Sequence, residues 1–331
     1  MIKLTSRYSV LMAGILIFTS SVLQAQTKKD AADIYNQGVA ASKNSLTDSA
    51  IYYFEKSIEI SDKVGDDAKD IKEQARKILP SLYFNKVAQY VKEKQFPECI
   101  AASKIAVANA EKYGNDTIKK ESLKIMYQVY FSIGNNYFKN NELGNAILSY
   151  DSALSINPNY TKAIVNKAMV YIKMENNDKF TETIDLAISQ YKAQNDTNQV
   201  SALNKKAREY FRKPSSKAIQ AKKFDEALTF LNMAVKYGYD KEIYLLYADV
   251  YNEEKKYSEA LINAKKGLDL ETGDEKAKAK FYYRIGVSQL GTGNKDDACN
   301  AFKNALSGTP DIVQAAKGQM ANNKCPGAEV K

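Results

Sequence analysis

Residues 130–160, YFSIGNNYFKNNELGNAILSYDSALSINPNY, decide the fold. Gly134 and Ala146 are small where two antiparallel helices must approach closely, and Tyr130, Tyr137 and Tyr150 fill the gaps around them. Asn157-Pro158 ends the second helix, because proline disfavours helical conformation in the residue before it. The stretch is one helix–turn–helix unit.

Tyr130, Ile133-Gly134, Tyr137, Ala146, Tyr150, Ala153 and Pro158 fill all eight signature positions of one uninterrupted unit. This spacing resembles the tetratricopeptide repeat, a helix pair of about 34 residues. The same offsets return in Tyr282, Ile285-Gly286, Ala298, Phe302, Ala305 and Pro310. They return again in Tyr244, Tyr247-Ala248, Tyr251, Tyr257, Ala260, Ala264 and Gly267. Phe224, Ala227, Leu231 and Ala234 mark a second helix whose first helix reads poorly, since Pro214 falls inside it. Ile164, Ala168, Tyr171, Phe180 and Ala187 form a unit with about three extra residues at the NNDK turn. Tyr83, Tyr90, Phe96, Cys99 and Ala106 form another, and Ile34, Gly38, Ala50, Phe54 and Ser57 the first.

Seven helix pairs result, with Ala50, Cys99, Ala146, Thr183, Ala227, Ala260 and Ala298 in the small position of each second helix. Their separations of 49, 47, 37, 44, 33 and 38 imply longer helices or extra turns in the early units. Each pair buries its apolar face only against neighbours, so stacking follows. The expected fold is all-α, a right-handed α-solenoid of antiparallel pairs over 26–310. A capping helix, DIVQAAKGQMANN, and a tail occupy 311–331.

Composition agrees. The 331 residues include no His and no Trp, 23 Tyr, 15 Gly and 6 Pro, so helix breakers are few. Lacking His, the chain lacks the commonest general base and metal ligand, which argues against hydrolases and transition-metal enzymes. The net charge is +9, yet stretches such as EKKYSEAL and DAKDIKEQARK mix both signs along the chain. A solvated helix surface fits this better than a nucleic-acid footprint, leaving an acidic partner or an anionic membrane surface open.

Lys3 and Arg7 precede the apolar run Val10–Phe18, and TSSVLQAQ follows. The segment 1–25 reads as a secretory leader cut between Ala25 and Gln26, too short to span a bilayer. Its removal takes Lys3 and Arg7 and lowers the charge from +9 to +7. The remaining chain is expected in the periplasm or at the envelope, with no transmembrane segment and at most peripheral membrane association.

Three cysteines are an odd number for an exported chain. The resemblance implies a Cys299–Cys325 disulfide pinning the cap, worth roughly 3 kcal/mol. A turn centred near Pro310 sets Cys299 opposite residues near 320, so the chain must fold back through ANNKCPG. The other reading is two separate buried thiols. Cys99 stands in a small, buried position and reads as packing, since no His is present to activate a thiol nucleophile.

Gly291–Asp297 (GTGNKDD) lacks the preceding strand and the Gly-Lys-Ser/Thr order of a phosphate loop, and reads as a turn. Asp296-Asp297 suits a helix N-terminus, and Asp66-Asp67 is too isolated for calcium. No cofactor or metal is expected.

The resemblance places partner peptides on a concave face lined by first helices. Transferred positions are Phe84, Ala88, Phe131, Asn135, Lys139, Val165, Met169, Lys173, Leu245, Asp249, Tyr283 and Val287. Exposed apolar residues there favour a peptide or helix. One branch of the family clamps a terminal carboxylate; Asn135 and Asn166 match two clamp positions, but Phe131 replaces its first lysine. The expected function is a non-enzymatic scaffold holding a protein partner, or an accessory subunit of an envelope assembly. An enzyme acting on cell-wall material would need coupled carboxylates, and the sequence shows no such constellation.

Overall fold

A computed structural model describes residues 26–327; the leader assigned to 1–25 lies outside them. All regular structure among the described residues is helical. Helix α1 (Lys28–Lys43) packs on α2 (Thr47–Val64), and α3 (Lys69–Lys92) on α4 (Phe96–Lys112). Then come α5 (Asp116–Lys139), α6 (Leu143–Ile156), α7 (Thr161–Lys173), α8 (Asn177–Ala193), α9 (Thr197–Gln220) and α10 (Phe224–Val235). The last are α11 (Lys241–Glu253), α12 (Tyr257–Asp269), α13 (Glu275–Gly291), α14 (Lys295–Ala305) and α15 (Pro310–Asn322).

The chain divides after Val129, within α5, into two compact units. The first has a core of Ala50, Phe54, Ala75 and Leu79, among others. In the second, Ile164, Phe180, Ile184, Phe211, Leu231 and Ile243 belong to one cluster, and Phe302, Met320 and both bonded cysteines to another.

One turn geometry joins the two helices of every pair. The residue after the first helix's C-cap has positive φ, at Ser45, Lys94, Asn141, Glu175, Lys222, Lys255 and Gly293. The next N–H reaches back five residues, as from Glu142 to the Tyr137 carbonyl (2.9 Å) and from Lys256 to that of Tyr251 (2.8 Å). This satisfies carbonyls the helix end would otherwise orphan. Six of the seven positions are not glycine, although an L side chain costs roughly 1 kcal/mol or more in this conformation.

The constant turn fixes the register of the pairs. Each second helix places a key residue five positions after the positive-φ residue: Ala50, Cys99, Ala146, Phe180, Ala227, Ala260 and Ala298.

 All seven are 0% exposed. The corresponding residue of the fourth pair is therefore Phe180, not Thr183, and the NNDK turn holds no extra residues. Phe180 follows Ala146 by 34 residues. Volume is traded within the helix. Where α2, α6 and α14 carry Phe54, Tyr150 and Phe302 four residues on, α8 carries Ile184, and the Phe180 ring instead meets Tyr210 (4.5 Å) and Phe211 (5.7 Å) on α9.

Close helix approach explains two glycines. A Cβ on Gly134 would lie 2.6 Å from the Tyr150 ring, and one on Gly286 2.6 Å from that of Phe302. The first helix of the fifth pair is not broken by proline. Pro214 lies inside the continuous 24-residue α9, as Pro80 does inside α3. Buried Phe211 and Ser215 flank Pro214, and their packing outweighs the lost backbone bond.

The inner turns are constant, and length varies in the helices. Helices α3, α5 and α9 have 24 residues against 13 in α7 and α11, which accounts for the long separations read in the sequence. At the far end α15 packs on α13 and α14. Lys324 takes positive φ and the Cys325 N–H bonds the Met320 carbonyl (2.9 Å), folding the chain back. Cys299 and Cys325 are joined there in a disulfide, with 5.4 Å between Cα atoms.

Candidate protein-binding face

In the second unit, side chains about one repeat apart tie successive pairs together. The Asn135 Oδ1 accepts from the Tyr150 hydroxyl (2.8 Å) and from Asn166 Nδ2 (2.7 Å), joining α5, α6 and α7. Tyr210 on α9 donates to Asn177 Oδ1 at the start of α8 (2.7 Å). Arg208 and Arg212 on α9 both grip Asp240, the N-cap of α11, at 3.0 to 3.1 Å. Asp249 on α11 receives a two-pronged bond from Arg284 on α13, at 2.7 and 3.2 Å. Bidentate guanidinium–carboxylate pairs fix orientation as well as distance. These ties make the exposed face of α5 to α13 a preset surface.

The positions transferred from the family pattern are spread unevenly over this surface. Phe84 (half-buried) and Ala88 (exposed) lie on α3 in the first unit. Phe131 is half-buried, with its ring 5.1 Å from that of Tyr160 and 5.9 Å from that of Tyr150. Asn135 is held as described, and Lys139 is exposed one turn further on. Val165 and Met169 are half-buried against the large core, while Lys173 is exposed with its ammonium 4.7 Å from the Phe138 ring centroid. Leu245 is half-buried, Asp249 is engaged with Arg284, and Tyr283 and Val287 pack on the cluster that holds the disulfide.

Asn135 and Asn166 therefore meet each other. With its oxygen accepting two hydrogen bonds, Asn135 has only amide N–H groups to offer a ligand, which suits a carbonyl or carboxylate. Reading the sequence missed Arg284, whose 35-residue spacing from Asp249 is the signal that would have found it.

Elsewhere, Cys99 is buried with its sulfur 3.9 Å from the Val87 carbonyl, and burial pushes its thiol up, away from thiolate reactivity. Within Gly291–Asp297, Gly291 ends α13, residues 292–294 form the turn with Gly293 at φ 85°, and Lys295 opens α14.

The tetratricopeptide-repeat model matches residues 127–160 and 279–311. No curated protein matches the chain. Among solved structures, MamA protein shares 19% identity, covering 62% of this chain and 98% of its own, with a TM-score of 0.33. YrrB, described as a TPR protein with an unusual peptide-binding site, shares 19%, covering 58% and 91%, with a TM-score of 0.34. A tetratricopeptide repeat protein from Parabacteroides merdae ATCC 43184 shares 16%, covering 88% and 99%, with a TM-score of 0.30.

Proposed function

Because the chain is a tetratricopeptide-repeat protein, we propose that it is a non-enzymatic scaffold of the cell envelope that holds a protein partner along the first helices of its second unit. One observation carries this reading. The cross-ties from Asn135 to Arg284 fix a surface on which Val165, Met169 and Leu245 stay half-exposed, so a ligand meets apolar contact area without a large ordering cost. Export is supported by the charged start, the apolar run Val10–Phe18 and a disulfide suited to an oxidising compartment.

The test is capture of an envelope protein by the chain without its leader. Met169→Glu with Leu245→Glu should abolish saturable capture and leave far-UV helicity unchanged. Phe131 is avoided because its ring packs between two tyrosines. Capture that survives the double change removes the first-helix face from consideration.

A second reading, an accessory subunit of an envelope assembly, is favoured by the second helices. Leu148, Leu186 and Ile262 are 66%, 50% and 54% exposed there. Copurification with envelope membranes that is lost on Leu148→Glu with Ile262→Glu would support it.

A further inference from the structure

Charge in the middle of the second unit is sorted by helix. The first helices α7 and α9 together carry nine Lys or Arg and one acidic residue, Glu209. The second helices α6, α8 and α10 carry six Asp or Glu and two Lys. First and second helices alternate along the chain, so the two populations mix in sequence and separate in space.

The protein uses three of the nine cations internally: Lys167 with Asp151 (2.6 Å), and Arg208 and Arg212 with Asp240. The others point elsewhere. On α7, Lys162, Met169 and Lys173 follow at i, i+7 and i+11, and on α9 Lys206, Lys213 and Lys217 repeat that spacing. Such spacing aligns each trio on one helix face. The five lysines are exposed, as is Lys139 on α5, and none has an ion-pair partner among the described residues. Glu209, three residues after Lys206 and four before Lys213, is the one acidic residue of α7 and α9 beside these lysines; the excess of like charge that remains repels itself, so folding alone gives no reason for the arrangement. An anionic ligand does.

We propose that this face binds an acidic protein segment, whose Asp or Glu side chains meet Lys162, Lys173, Lys206, Lys213 and Lys217 while an apolar residue rests on Met169. A protein segment fits better than a bare anion because Val165 and Met169 lie between the lysines of α7 and add apolar contact. The proposal rests on the first-helix face being the binding face, and it names the partner's chemistry.

The test is fluorescence anisotropy with two labelled 12-residue peptides, about 12 being enough to cross two helix pairs. Both are acetylated and amidated to remove terminal charges. One alternates Glu or Asp with Leu, and the other carries Gln and Asn instead. The acidic peptide should bind and the neutral one should not, and binding should weaken between about 50 and 500 mM salt. Lys206→Glu with Lys213→Glu and Lys217→Glu should cost at least roughly tenfold in affinity. Lys29→Glu with Lys43→Glu and Lys92→Glu, exposed positions in the first unit, makes the same change in net charge and should leave binding intact.

Equal loss in both triples, or equal binding of both peptides, overturns the acidic partner. If the neutral peptide binds and Met169→Glu with Leu245→Glu abolishes it, the binding face survives and only its charge preference falls. If neither peptide binds, the acidic partner is again overturned, and capture of the envelope protein judges the face independently.

Discussion

Replacing Cys325 with Ser should loosen the end of the second unit and leave the first unit unchanged. The disulfide closes a stretch of 26 residues containing most of α14 and all of α15. Loop-closure entropy for that span is worth about 3.5 kcal/mol. Neighbouring contacts are few, since in a repeat array each element touches mainly its neighbours. Helix α15 buries only Ala316 and Met320. The bond therefore supplies much of what holds the helix down, and its loss should appear as local opening rather than global unfolding. Amide hydrogen exchange with assigned peptides is the assay. Amides of α15 should exchange roughly 300-fold faster in Cys325→Ser, a ratio matching 3.5 kcal/mol. Reductant should reproduce the effect in the wild type and add nothing to the variant. A change below about tenfold in α15 would refute the entropic account. Equal acceleration in α1 to α4 would refute its locality.

Two further predictions concern stability. Glu175→Gly should raise the stability of the second unit by about 1 kcal/mol in urea unfolding, because Glu175 holds φ at 55° in the α7–α8 turn; unchanged or lower stability would show that the side chain compensates. Glu271 is buried, and its bonds to the Lys241 ammonium (2.7 Å) and Gly273 N–H (3.0 Å) hold its carboxyl below the usual range. A depressed folded-state value gives stability that is present above the unfolded value, near 4.5, and lost as pH falls through the folded one. Melting temperatures between neutral pH and pH 3 should fall less steeply for Glu271→Gln than for the wild type, and parallel curves would sink the assignment.

Much of the helix pairing could be read from small residues facing large ones, as Gly134 faces Tyr150 and Gly286 faces Phe302. The reading slipped at Phe180, because a rule that demands a small residue there does not see that Ile184 gives back the volume. It slipped at Pro214 because local helix preference was weighed without the burial of Phe211 and Ser215. The candidate face was only partly legible. Asn135, Met169 and Lys173 follow from family spacing, whereas Asp249 proved to be committed to Arg284. The lysines of α9 were hidden because acidic second helices on either side cancel them in any running average of charge.

The difference between the 24-residue helices and their 13-residue counterparts has a bearing on how such a chain can change over time. Eleven residues amount to about three helical turns, with only some 20° left over. An insertion of that size at the outer end of a helix returns every following side chain to the face it had before. The inner turn, from the positive-φ residue onward, is untouched. Growth by whole turns is thus nearly silent for the core, while an insertion of five residues between Lys206 and Lys213 would turn Lys206 about 140° away from the other two lysines.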